Sequence, residues 1–356
     1  MTIIDEPGLS AELLNGHRHP GYRTDVRPMR VVEKRSLTAD ITHFRFVPAD
    51  DPSTGAVSPM LTPFQPGSHV IVSTGDGHRN AYSLVDDGLY PTDYGISVLR
   101  RGAGGGSDWL HDTISEGDIV EIEGPRAMFA PILDQRHALL VAGGIGITPI
   151  LSHARAIARD AAITGVGAEI IYSYRPGAAA HLEDLRTLAA HEAITLHEAT
   201  GVEETIATLR ARLAVQPLGT HAYACGPAAL LETYQLLATE AGWPAARVHL
   251  ERFTAPEQDP GDPFSVRVAS TGERIDVPSG VSLLERLLEH DVAVPNLCRQ
   301  GVCGECRITV RSGPILHRDF VLTDEEKACG DAMMSCVSRA VPTTDTTTDC
   351  DLEVDL

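Results

Sequence analysis

Four cysteines near the end of this 356-residue chain have the types and spacing to hold a metal centre: Cys298, Cys303, Cys306 and, thirty positions later, Cys336. C-x4-C-x2-C with a distant fourth cysteine is the spacing of plant-type [2Fe–2S] ligation. Three thiolates on one tight loop and a fourth from another segment can hold two irons, one per thiolate pair. Within the loop, Gly301 and Gly304 permit positive φ and turn backbone N–H groups toward the cluster sulfurs, which tunes its potential. A structural zinc site is the alternative for any four cysteines, but zinc ribbons pair CxxC with CxxC, and this order fits them poorly. The expected chemistry is therefore transfer of single electrons.

Of the other cysteines, Cys329 is a rival fourth ligand. Cys336 is preferred because Met333, Met334 and Val337 surround it with apolar side chains suited to a buried cluster. Seven cysteines without a secretory signal imply a reducing, cytoplasmic setting rather than a disulfide framework. The net charge of −20 opposes nucleic-acid and anionic-membrane binding, and no apolar run approaches the roughly 18–20 residues of a membrane helix. Residues 263–356 carry 16 acidic and 9 basic side chains, a net −7, so the acidity is spread along the molecule.

These residues need several elements to position them, and the length calls for two or three domains. Residues 1–27 read as an extension. Residues 28–132 hold short β runs punctuated by turn residues (Met29–Leu37, Ile41–Pro48, His69–Ser73, Tyr82–Val85, Gly95–Val98 and Ile119–Glu123), which predicts a small antiparallel barrel. Residues 133–253 alternate strand and helix, with strands at His137–Ala142, Ala168–Tyr174, His221–Cys225 and Val248–Glu251, so a parallel α/β sheet is expected. The first of these strands runs into Gly143-Gly144-Ile145-Gly146-Ile147-Thr148-Pro149, then a helix to about Ala158 with Thr148 as N-cap and Pro149 at N1. The Pro- and acid-rich stretch 254–263 reads as a stiff linker. Residues 264–356 follow, with strands at Phe264–Ala269 and Glu273–Val277, a helix at Ser282–Glu289, the cysteine loop, and a capping box at Thr323-Asp324-Glu325-Glu326. Thr343–Asp349 is Thr/Asp-rich.

Glycines between strand and helix let a pyrophosphate approach the N–H groups of the helix N-terminus, with a tight packing turn as the alternative for Gly143, Gly144 and Gly146. The order of segments adds to this. A barrel, then GGIGITP, then Cys225-Gly226-Pro227, then Glu251-Arg252-Phe253 resembles the ferredoxin-NADP reductase superfamily. The resemblance implies that Cys225 lies over the nicotinamide and Phe253 near the flavin, with Gly226 and Pro227 completing the nucleotide site. Asn80-Ala81-Tyr82-Ser83 resembles that superfamily's R-x-Y-S strand, in which the tyrosine packs on the flavin and the serine hydroxyl approaches flavin N5. Gly105, Gly106 and Ser107, with Ser107 as cap of a helix over Asp108–Asp112, would hold the flavin phosphate.

With flavin, nucleotide and cluster segments in that order, the chain resembles the phthalate dioxygenase reductase and vanillate demethylase reductase family over residues 28–356. The cluster segment resembles the β-grasp fold of plant-type ferredoxins. What the resemblance implies is a monomeric reductase using NADH, FMN and a [2Fe–2S] cluster to supply a terminal Rieske non-haem iron oxygenase. The alternatives are a cytochrome P450 acceptor or a cluster-based redox sensor, the latter disfavoured by an intact hydride-transfer apparatus. Two departures bear on the cofactors. Many relatives have arginine where Asn80 and Gly104 stand, so Arg100 or Arg101 would have to supply the phosphate's charge, and FAD remains the alternative to FMN. No acidic residue follows the strand Ala168–Tyr174 to hold a ribose hydroxyl, and Arg175 would tolerate a 2′-phosphate, so NADPH stays open beside NADH.

Overall fold

In the computed structural model, which describes residues 26–49, 60–75, 78–102, 104–256, 258–341 and 350–356, three sheets follow one another along the chain. Thr343–Asp349 and residues 1–25 of the expected extension lie outside the described residues. Val26 and Arg27 already belong to the first strand.

The first sheet comprises β1 (Val26–Ser36), β2 (Ile41–Pro48), β3 (Ser68–Ser73), β4 (Arg79–Ser83), β5 (Tyr94–Leu99) and β6 (Ile119–Ala127) in the order β4-β3-β6-β1-β2-β5, with every pairing antiparallel. It curls until a bridge between Leu84 and Ile96 brings its two end strands together. Phe44, Phe46, Val70, Val72, Leu84 and Ile96 fill the interior. The strand expected at Tyr82–Val85 begins three residues earlier and stops at Ser83. Helix α1 (Gly106–Asp112) follows β5; its N-cap is Gly105, which offers no side-chain cap, and Ser107 sits inside the first turn instead of capping it.

The second sheet is parallel, in the order β11 (Val248–Glu251), β10 (Thr220–Cys225), β7 (His137–Gly143), β8 (Gly167–Ser173), β9 (Ile194–Ala199). Helices α2 (Ile147–Thr164) and α3 (Leu182–Leu188) cover one face, and α4 (Val202–Leu213) and α5 (Ala228–Glu240) the other. The chain leaves β7 toward β8 on one side and returns to β10 on the other. That switch point, at the strand C-termini, is where a doubly wound sheet takes its ligand. Helix α2 starts at Ile147 with Gly146 as cap and runs to Thr164. Thr148 is therefore not the N-cap, and Pro149 is the third helical residue; the Thr148 hydroxyl donates back to the Ile145 carbonyl at 3.0 Å.

The third sheet is mixed, with β12 (Phe264–Val268), β13 (Arg274–Val277), β14 (Arg307–Ser312), β16 (Ala332–Met334) and β18 (Leu352–Asp355) in the order β13-β12-β18-β14-β16; β15 (Ile315–Leu316) pairs with β17 (Arg339–Ala340). Helix α6 (Leu283–Glu289) packs Leu283, Leu284 and Leu287 into this core, and Ser282 and Glu285 close a capping box. The capping box read at Thr323 and Glu326 opens α7 (Asp324–Cys329). The second half of the 254–263 stretch is strapped to this unit: Arg318 donates to the Asp259 carbonyl and carboxylate at 2.9 Å, and Arg339 to the Asp262 carbonyl at 3.0 Å. Among the described residues no helix is long and apolar enough to cross a membrane.

The packing reading of the glycine turn accounts for part of GGIGITP. A Cβ on Gly146 would lie 2.2 Å from the Cys225 carbonyl oxygen, and one on Gly143 would lie 2.5 Å from Leu230. By contrast Gly144, at φ +52, faces open space. Gly146→Ala is thus expected to destabilise by roughly 1–3 kcal/mol through overpacking. Gly201→Ala, where a Cβ meets nothing within 4 Å, serves as the control in thermal unfolding.

Candidate redox site

The three units meet at a cavity of about 530 Å³. The first sheet contributes Arg79, Asn80, Tyr82, Ser83 and Ser97, with Arg101 and Ser107 beside α1. The second contributes Ile145, Thr148, Glu251, Arg252 and Phe253. The third contributes Cys298, Val302, Cys303 and Phe320. Pairing explains the first set. Tyr82 lies opposite Val70 and Ser83 opposite His69 on β3, and the Leu84–Ile96 bridge sets Ser83 and Ser97 side by side where the curled sheet closes. Of the two arginines considered for the missing phosphate charge, Arg100 is paired with Asp112 at 2.5 Å, whereas Arg101 borders the cavity. Arg79 shares the side of β4 opposite Tyr82, as strand alternation requires, yet also borders the cavity because β4 is an end strand.

Other expected residues stand behind this wall. Gly105 and Gly106 precede Ser107; the backbone N–H groups of Arg101, Gly102 and Gly104 donate to the Asp108 carboxylate at 3.2, 3.0 and 2.6 Å, which shapes this turn. Gly143 faces Gly226 and Pro227 across the switch point, Gly146 faces Cys225 and Gly226, and Gly144 faces open space. Arg175 is exposed just beyond β8. Nearby, Glu198 at the end of β9 accepts from Tyr174 at 2.5 Å and takes Arg186 in a bidentate pair at 2.9 Å. Cys225 is fully buried and hydrogen-bonded to Glu251, and it is the glutamate that reaches the cavity.

Glu251 belongs to the Glu-Arg-Phe run from which the sequence reading carried over only Phe253. Burial pushes its carboxyl up to about 8 from an ordinary 4.5, partly offset by the Cys225 hydrogen bond. Its Oε2 is buried with no partner among the described residues. Burial, with Glu251 beside it, likewise raises the Cys225 thiol well above its ordinary value. Both shifts favour the uncharged forms of this pair.

The four cluster-loop cysteines come together two and two. Cys306 and Cys336 have their sulfurs 3.0 Å apart, both buried, while Cys298 and Cys303 are hydrogen-bonded to each other and line the cavity. The Cys303 thiol lowers Cys298 to about 6 against the cost of burial, helped by the N–H groups of Gln300, Val302 and Cys303. The Gly301 N–H points to Cys336. Gly301 has φ +72 and Gly304 φ +78, and a Cβ on Gly301 would meet Val337 at 2.6 Å. No group of three or more His, Cys, Asp or Glu among the described residues is arranged to hold a metal ion. Two thiol pairs with amide donors aimed at the sulfurs suit a two-iron cluster, one iron per pair. By contrast Cys329 is exposed at the end of α7.

Sequence reading also missed Glu305. This cluster-loop residue accepts from Arg126 of β6 at 2.6 Å, while Glu123 pairs with both Arg126 and Arg79. Across the other contact, the Arg252 guanidinium lies 4.8 Å from the Phe320 ring centroid, and Ala255 N–H donates to Gln300 at 3.3 Å.

A barrel with a tyrosine–serine wall, a doubly wound sheet opening at its switch point, and a cysteine loop on the same cavity define a pyridine-nucleotide reductase with a flavin and a [2Fe–2S] cluster. Family comparison agrees. The model of the 2Fe-2S iron-sulfur cluster binding domain matches residues 266–341, and that of the dimethylamine monooxygenase subunit DmmA-like N-terminal domain matches 126–248. The heme-dependent oxidative N-demethylase beta subunit of Ectopseudomonas mendocina is 38% identical over 87% of this chain and 95% of its own. The phthalate dioxygenase reductase of Burkholderia cepacia is 34% identical over 88% and 94%. A solved structure of phthalate dioxygenase reductase, described as modular for electron transfer from pyridine nucleotides to [2Fe–2S], superposes with a TM-score of 0.66 at 33% identity over 93% of this chain and 98% of that one. An intact type IV self-sufficient cytochrome P450 monooxygenase superposes at 0.74 and 28% identity, over 96% of this chain and 43% of that one. The chain belongs to the phthalate dioxygenase reductase family of iron–sulfur flavoprotein reductases.

The raised Glu251 has a consequence for stability. Its folded value lies above its unfolded one, so the fold binds the extra proton between pH 4.5 and about 8. Stability contributed by this group is complete below that window and is lost as pH rises through it. Glu251→Gln is expected to flatten the fall of the unfolding midpoint between pH 5 and 8; equal slopes in both proteins would contradict the assignment.

Proposed function

We propose that the protein draws two electrons from NADH and delivers them singly, from the cluster held by Cys298, Cys303, Cys306 and Cys336, to a terminal oxygenase of the Rieske non-haem iron type. The observation that carries this is the shared cavity, in which Tyr82 and Ser83, Glu251 and Phe253, and Cys298 and Cys303 stand on one space. When bound, the flavin supplies the conversion of one hydride into two single electrons and the [2Fe–2S] centre, near about −400 mV in its class, carries them outward. Tyr82 provides the wall for the flavin ring, Ser83 a hydroxyl beside it, and Phe253 the opposing aromatic. Arg101 offers a cation and Ser107 a hydroxyl to the flavin phosphate, and the order of flavin, nucleotide and cluster segments is the basis for FMN. Gly144, with open space before it, lets the nucleotide backbone of NADH approach the switch point. Cys225 serves hydride transfer from behind, through Glu251.

An oxygenase partner follows from the family. The Rieske type rests on the phthalate dioxygenase reductase likeness. The E. mendocina relative and the P450 structure favour a haem acceptor as the second reading. A cytoplasmic setting is in keeping with seven cysteines outside any disulfide, and the protein is proposed to act as a monomer.

Two experiments bear on this. Cys336→Ser is expected to abolish the reduced cluster's EPR signal and cytochrome c reduction, while NADH-driven ferricyanide reduction persists. Cys329→Ser should keep both, and the reverse pattern would overturn the ligand set. NADH-driven turnover with a co-encoded Rieske oxygenase should fall as salt rises beyond ~0.15 M, where screening lengths drop below ~8 Å. Transfer only to a haem oxygenase would make the second reading the right one.

A further inference from the structure

A chain of side chains that plays no part in the roles above leads out of the cavity. Ser97, which lines the cavity from β5, is 4% exposed. Its Oγ lies 2.7 Å from His181 Nε2, and His181 Nδ1 lies 2.7 Å from the Asp184 carboxylate, whose side chain is 40% exposed. On the other side, His43 Nδ1 lies 3.0 Å from the same Oγ. The chain crosses from the barrel into the α/β unit. It does so through a histidine with φ +59, a left-handed conformation that strains any side-chain-bearing residue.

With both imidazoles neutral, the hydrogen bonds have one consistent direction. The Asp184 carboxylate fixes the proton of His181 on Nδ1, leaving Nε2 to accept from the Ser97 hydroxyl. Ser97 Oγ then accepts from His43 Nδ1–H. Burial, then His181 nearby, lowers His43 to about 4, so that ring is neutral. Asp184 is lowered chiefly by its bond to His181, with Arg155 of α2 and Arg35 of β1 adding to it. Glu33 of β1 and Arg45 of β2 are the other charges acting on His43. Ser97 Oγ is thus placed to accept a proton from the cavity while handing its own to His181.

A reductase of this kind has such a proton to dispose of. NADH yields NAD⁺, one proton and two electrons; two equivalents of a one-electron acceptor take the electrons, and the proton must leave the cavity for solvent. We propose that Ser97, His181 and Asp184 are the exit relay for that proton, from the cavity beside Ser83 to solvent at Asp184. The proposal rests on the reductase reading. In the relay, Ser97 takes the proton on Oγ as its own passes to His181 Nε2, His181 passes its Nδ1 proton to Asp184, Asp184 releases it to water, and His181 regains the Nδ1–H tautomer by proton exchange with water before the next turnover. Glycine suits the backbone at 181, so His181→Gly deletes the ring without adding strain.

The test is anaerobic stopped-flow on the holoenzyme with a pH indicator: NADH first, then ferricyanide. Ser97→Ala and His181→Gly should be reduced by NADH at the wild-type rate but release the proton about tenfold or more slowly, with an enlarged solvent isotope effect. Ser97→Thr should recover, and added imidazole should restore His181→Gly. Unchanged proton release, slowed reduction by NADH, or failure of imidazole in the folded variant overturns the relay. A readout independent of turnover is nitrogen-15 NMR of the histidine-labelled full chain, in which His181 is expected as the Nδ1–H tautomer and to lose that preference in Asp184→Asn. An Nε2–H tautomer in the wild type overturns the direction assigned. A wild-type holoenzyme that NADH fails to reduce would instead overturn the reductase reading itself.

Discussion

The ion pair between Glu305 and Arg126 holds the cluster loop against the flavin barrel, and the shared cavity depends on it. The pair is enclosed, with side-chain exposures of 11% and 16%, and Arg126 also reaches Glu123 at 9%. Arg79 joins the network through Glu123. Removing such charges from water costs about as much as their attraction returns, and an apolar substitute would hold the domains together as well. What the ionic version adds is direction. Glu305 lies between Cys303 and Cys306, so its tether to β6 sets the cluster loop toward Tyr82 and Ser83 and not merely somewhere on the barrel.

The other interdomain contact is built differently. Ile41, Val85 and Phe129 from the barrel side share one apolar cluster with Ile147, Ile150, Leu151 and Tyr172 of the α/β unit. That continuity makes the flavin and nucleotide halves a single packed body, as hydride transfer between their ligands requires contact distances. The cluster unit touches this body through ions, one cation–π contact and single hydrogen bonds. It is strapped to its own linker by Arg318 and Arg339. A polar contact of this kind is the sort from which relative motion is expected, and an electron carrier that must also meet a partner is the unit for which motion is useful.

What could be read from the residues was what is written locally. Four cysteine positions, two βα turns and one capping box are short-range patterns, and each reappears in the fold as an element or a meeting point. The missing parts depend on distant pairing. Strand β18 alternates Leu352 and Val354 inward with Glu353 and Asp355 outward, a period-two signal masked by its acidic setting, and it exists only because β12 and β14 flank it. Glu305 looked like an ordinary loop charge until β6 supplied Arg126. The Gly146 carbonyl-packing role was one of two readings of the same glycines, and only the approach of Cys225 decides between them.

Charge across the cavity follows from the same placement. Arg79 and Arg101 border it on the barrel side, where an anionic phosphate is expected. Glu251, pushed up to about 8, and the buried Cys225 leave the middle uncharged. An ionised Glu251 would set an unpaired carboxylate on this cavity. Its burial, with Oε2 left unpartnered, keeps the proton on and the path neutral.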